Sequence, residues 1–144
     1  YGWRRYGDYG NVNEVDPAGP ADRYPTFYVY KLLGNFARGG ETVVSAQSDY
    51  SSLGVYAVRG SGSSLKLLLI NKHPSAALNA SITIPGLKKG QKARVYSYGI
   101  PQDEAARTGE GSADVQQSKF VTSGSTLTYS PQPYSATVID LNLN

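Results

Sequence analysis

The feature that most limits the possible folds of this chain is a change of hydrophobic period at Gly39-Gly40. Before the glycines, YPTFYVYKLLGNFARGG spaces Phe27, Tyr30, Leu33 and, less strictly, Phe36 three residues apart, and Tyr28 and Leu32 four apart. This is helical spacing, and Pro25 suits a first turn because the N–H it lacks has no helical partner there; a helix is predicted from about Pro25 to Ala37. From Glu41 onward the period is two. TVVSAQ, GVYAV, LKLLLINK, ASITIPG, ARVYSYG, SKFVTS, STLTYS and SATVIDLNL are short, rich in β-branched and aromatic residues, and separated by Gly, Ser, Asn, Asp or Pro. The expected fold is all-β, an antiparallel β-sandwich of about eight strands with one N-terminal helix. The chain accordingly divides into residues 1–40, an aromatic loop and helix, and residues 41–144, the sandwich.

Within the sandwich, LKLLLI is apolar at nearly every position from Leu67 and reads as a central strand, whereas Ile82 and Ile84 alternate with Ser81 and Thr83 and imply one wet face. RGSGSS reads as a flexible hairpin connection, and KHPS as a tight hairpin between the third and fourth strands. GIPQDEAARTGEGSADVQQ reads as a long polar loop, and Pro131 and Pro133 lead into the last strand.

Composition narrows function mostly by exclusion. Without Cys there is no disulfide, thiol catalysis or zinc-thiolate site. No apolar run approaches the roughly 20 residues that span a bilayer, so no membrane partner is expected. The net charge of +3 comes from scattered Lys and Arg, with Arg4-Arg5 and Lys88-Lys89 the only adjacent basic pairs, so no nucleic-acid partner is expected either.

Catalytic groups are sparse. The sole histidine, His73, precedes Pro74 in a predicted turn, which leaves no nucleophilic triad and no histidine metal cluster. Asp103, Glu104, Glu110 and Asp114 share the polar loop, and Asp49 and Asp140 lie in or beside strands, with no pattern that holds a carboxylate pair across a sugar. Asp8, Asn11, Asn13, Glu14 and Asp16 form an oxygen-rich set that suits either a structural calcium or an ordinary polar turn; no other cofactor is expected. Aromatic residues carry the stronger signal. Trp3, Tyr6 and Tyr9 recur every three residues beside Arg4, Arg5 and Asp8, and Tyr96 and Tyr98 project from one face of one strand about 6.5 to 7 Å apart. Such rings stack on the C–H faces of sugars, and they equally fill a core or cover a docked helix.

YGDYG, RYPTFYVYKLLGNFARGGETVVSAQSDYSSLGVYAVR, LKLLLINKHPSAALNASITIPG, ARVYSYG and PQPYSATVIDL, taken in order, resemble the C-terminal part of bacterial glycoside hydrolases with a (β/α)8 barrel and a trailing β-sandwich. The endoglucanase and xyloglucanase family 44 is the nearest likeness, with arabinofuranosidase-type families more distant. The resemblance implies that residues 1 to 10 correspond to the last barrel strand and its loop, and YPTFYVYKLLGNFA to the last barrel helix. The family's catalytic glutamates have no counterpart here, so it implies a chain without catalytic residues, linked to a catalytic domain; a monomer is expected, and secretion follows from where the substrate lies. The corresponding expectation is a carbohydrate-binding module for β-1,4-glucan (cellulose, xyloglucan or mixed-linkage glucan), with Trp3, Tyr6, Tyr9, Tyr96 and Tyr98 as the stacking residues. The competing expectations are a purely structural sandwich that stabilises a barrel, and a small glycosidase using surface carboxylates.

Overall fold

Pro25 opens a helix, α1 (Pro25–Phe36), in a computed structural model that describes residues 4–5, 12–13 and 22–143. Trp3, Tyr6, Tyr9 and the side chains of the oxygen-rich set at 8–16 lie outside the described residues. Three two-residue strands precede α1: β1 (Arg4–Arg5), β2 (Val12–Asn13) and β3 (Asp22–Arg23). The helix ends where the Ala37 N–H donates to the Leu33 carbonyl at 3.1 Å, and Gly40 at φ +90° then turns the chain, a conformation that strains any residue with a Cβ.

All eight strands expected from the period-two segments form: β4 (Thr42–Val44), β5 (Leu53–Arg59), β6 (Ser64–Asn71), β7 (Ala80–Thr83), β8 (Lys92–Tyr98), β9 (Gln116–Val121), β10 (Thr126–Tyr129) and β11 (Ser135–Asn142). They build an antiparallel β-sandwich from a six-stranded sheet, ordered β4-β5-β6-β11-β8-β9, and a two-stranded sheet of β10 and β7. As its continuous apolar run implies, β6 is central, flanked by β5 and β11. One face of the large sheet packs Leu65, Leu67, Leu69, Val95, Ile139 and Leu141 against Ile84 and Leu127 of the small sheet's side. On the other face, Leu68, Tyr98 and Val138 pack against Tyr28 and Leu32 of α1.

Two expectations are corrected. The connection KHPS is no hairpin, because β7 pairs with β10 and residues 72–79 carry the chain from one sheet to the other. The Asn71 side chain, 1% exposed, stitches this crossover: its Nδ2 shares its hydrogens among the carbonyls of Ala76, Pro131 and Gln132 at 2.9, 3.0 and 2.9 Å. Its Oδ1 accepts the His73 N–H at 2.9 Å. LLLINK and PQPY, far apart in sequence, are thus joined by one buried amide.

The polar segment after β8 is not a continuous loop either, since α2 (Ile100–Thr108) occupies its first half. Gln102 Oε1 accepts the Gly99 N–H at 2.9 Å, Pro101 sits in the first turn, and Gly109 at φ +75° closes the helix. Gly99 itself is held by a close approach, since a Cβ there would lie 2.9 Å from Ser135 Cβ.

Candidate functional site

Strand alternation aims Tyr96 and Tyr98 at the same face of β8, and α1 lies over that face. Tyr98 is 6% exposed, and its ring stacks on Tyr28 with centroids 5.4 Å apart and planes 12° from parallel. Phe27 meets Tyr28 edge-on at 5.3 Å. Tyr96 is half-buried against the same cluster. The two rings therefore do not make an open platform: a helix that is apolar toward the sheet needs aromatic partners, and Tyr98 supplies one. The Tyr98 hydroxyl is buried without a hydrogen-bond partner, and burial, with smaller contributions from Asp103 and Tyr28, pushes the phenol up to about 12.

Four carboxylates are committed to cations. Asp114 accepts from Lys31 Nζ at 2.6 Å, Arg94 Nη2 donates to Asp140 at 2.8 Å, Arg107 bonds Glu104 one turn away on α2, and Lys66 bonds Glu41 at 2.5 Å. Hydrogen bonds from these cations hold Glu41, Glu104 and Asp114 below the usual carboxylate range. That is the opposite direction from the raised carboxyl a glycosidase uses as its acid. His73 Nδ1 accepts the N–H groups of Ser75 and Ala76 at 3.2 and 2.9 Å, a turn-forming role. Among the described residues no three His, Cys, Asp or Glu side chains gather as metal ligands, and no helix is long and apolar enough to cross a membrane.

Val43, Tyr50, Tyr56 and Val121 are exposed singly on or beside strands, while Val29, Tyr30, Ile100 and Tyr134 are exposed on or beside the helices. Val29 is 37% exposed and Tyr30 63%, on the helix that already buries Tyr28 and Leu32. A groove of about 500 Å³ runs beside Val29, walled by Pro25, Ile70, Ile100 and Tyr134. Ile100 is 43% exposed and Tyr134 57%. Tyr134 is the only non-glycine residue at positive φ (+40°) among the described residues, held there as its N–H donates to the His73 carbonyl at 3.1 Å. Backbone strain that presents an aromatic ring to solvent points to a function for the ring. None of Val29, Ile100 or Tyr134 was singled out from the sequence, where Val29 falls outside the three- and four-residue apolar spacing that marks α1.

No protein-family model matches the chain, and no curated protein matches it. Solved structures do. A Paenibacillus polymyxa xyloglucanase from glycoside hydrolase family 44 is similar at 26% identity over 69% of this chain, with a TM-score of 0.55. CelM2, a bifunctional glucanase-xylanase from a metagenome library, is similar at 25% identity over 82% of the chain, with a TM-score of 0.62. The family 30 endoxylanase of Clostridium papyrosolvens shares the fold at 15% identity over 83% of the chain, with a TM-score of 0.64. This chain spans only 18%, 22% and 28% of those three proteins, respectively.

Proposed function

We propose that the chain is a non-catalytic β-sandwich domain of an extracellular, polysaccharide-degrading glycoside hydrolase, and that it docks on the catalytic body of that enzyme through α1 and the groove beside it. The observation that carries this reading is that α1 is apolar on opposite sides. Tyr28 and Leu32 are spent on the sheet, yet Val29 and Tyr30 still face outward. A helix apolar on opposite sides belongs between two layers, and the described residues supply only one of them. Ile100 and the strained Tyr134 extend the apolar surface, and large exposed aromatics are the residue type that anchors interfaces. The similar solved proteins are glycan hydrolases several times longer than this chain, which supports a larger catalytic body as the missing layer.

The test is the hydrolase carrying this domain, intact and with Val29→Asp plus Tyr30→Asp. The expected result is faster thermal inactivation of glycan hydrolysis, while the same pair in the isolated chain leaves its melting temperature within a few degrees. Unchanged inactivation would overturn the docking role, and release of reducing sugar from xyloglucan or xylan by the isolated chain would overturn its non-catalytic status.

A further inference from the structure

The inner face of the large sheet changes character at one corner. Along β8 the inward side chains run Ala93, Val95, Ser97; along β11 they run Leu141, Ile139, Thr137; along β9 they run Phe120, Ser118, Gln116. The strand register puts the polar ones side by side, Thr137 opposite Ser97 and Ser97 opposite Gln116, with Ser118 one rung away opposite Val95. The small sheet does not close over them, and β10 ends there at Tyr129. A cleft of about 330 Å³ results, with Gln102 of α2 on its far wall.

A sandwich interior normally continues apolar to its edge, because a buried hydroxyl without a partner costs free energy. Thr137 is 1% exposed and lines the cleft, and its hydroxyl is not shut in like that of Tyr98, which is the buried side-chain polar atom without a partner among the described residues. Ser97 is half-buried and Ser118 and Gln116 are exposed, so their polar groups are open to a ligand in the cleft. Gln102 spends its Oε1 on the Gly99 N–H and keeps its amide hydrogens. No charged side chain lines the cleft.

We infer that this cleft binds a neutral, hydroxyl-rich ligand, namely one or two sugar units of an uncharged polysaccharide. Hydroxyls and amides donate and accept at once, as sugar hydroxyls do, and an uncharged lining offers no counter-charge to a phosphate, a uronate or a metal ion. The Tyr129 ring, half-buried at the cleft wall, offers a face for the C–H side of a sugar. The volume is at the small end of ligand pockets. The choice of plant-wall glycans as probes rests on the proposed hydrolase role. The neutral polyhydroxyl class rests on the lining alone, so docking through Val29 and Tyr30 can fail while this inference stands, and the reverse.

The experiment is a titration of the whole ¹⁵N-labelled chain with cellohexaose, xylohexaose and a xyloglucan oligosaccharide, with an oligogalacturonate as the charged control. Expected are saturable shifts clustered at Ser97, Gln102, Gln116 and Ser118 for at least one neutral glycan. Gln116→Ala, at an exposed position, should weaken that binding about fivefold or more, as the loss of one hydrogen bond implies. Thr137→Val should weaken it too without lowering the melting temperature, which separates a ligand-facing hydroxyl from one the fold needs. The inference is overturned if no neutral glycan shifts these resonances, if the shifts map elsewhere, if the charged glycan binds as well, or if both variants bind as the native chain does.

Discussion

Tyr98 has a ring that the fold uses and a hydroxyl that it does not. The ring fills the space between β8 and α1 against Tyr28, while the hydroxyl is shut away from water with no partner. Replacing one partnerless polar atom by hydrogen removes a desolvation cost, so Tyr98→Phe is expected to stabilise the chain by about 1 kcal/mol in urea unfolding. The pH dependence carries a second signature. Burial raises the folded phenol from its ordinary 10 to about 12, so the unfolded chain loses its proton first as pH rises. The contribution is therefore whole below pH 10 and is lost on the way to pH 12. Tyr98→Phe should flatten the fall in stability across that window, and an equal fall in both proteins would show that the phenol is not its source. Strand parity in ARVYSYG sufficed to place Tyr96 and Tyr98 on one face. That a helix lies over that face could not be read there, because nothing local to a strand says what covers it.

At the scale of elements, the eight strands and α1 were legible because each announces itself over a few residues, by alternation or by apolar spacing of three and four. α2 was not, because IPQDEAART buries only Ala105 and so has no apolar stripe to detect. Its signals were Pro101 near the start, good helix formers in DEAAR and Gly109 at the end. The misread KHPS connection has a different cause: the partner of β7 is β10, more than forty residues later, and pairing over that distance leaves no local mark. What fixes the crossover is Asn71, whose amide serves backbone from both of its sides. Asn71→Ala would strand several buried or half-buried backbone groups at once, and the expected cost is about 3 kcal/mol in urea unfolding. A loss of under about 1 kcal/mol would mean that water replaces the amide and that the crossover does not depend on it.

For the whole molecule, the period change at Gly39-Gly40 marks a change of element and not a place where the fold can be cut. The large sheet is covered on one side by β7 and β10 and on the other by α1, so α1 is the third layer of the same structure. Taking it away would expose Leu68, Val138 and Tyr98, with Val115, as one apolar surface in the middle of the sheet. Leu32, fully buried on the helix side, gives the scale: Leu32→Ala alone should cost about 2–5 kcal/mol, a large part of what a domain of this size has to spare. A chain of residues 41–144 is therefore expected to lack a cooperative thermal transition and to bind a hydrophobic dye, whereas the whole chain melts in one step. A sharp transition near that of the whole chain would show that α1 only rests on the sandwich. It would then belong wholly to whatever covers Val29 and Tyr30, which is why this truncation and the paired aspartate variants bear on opposite faces of one helix.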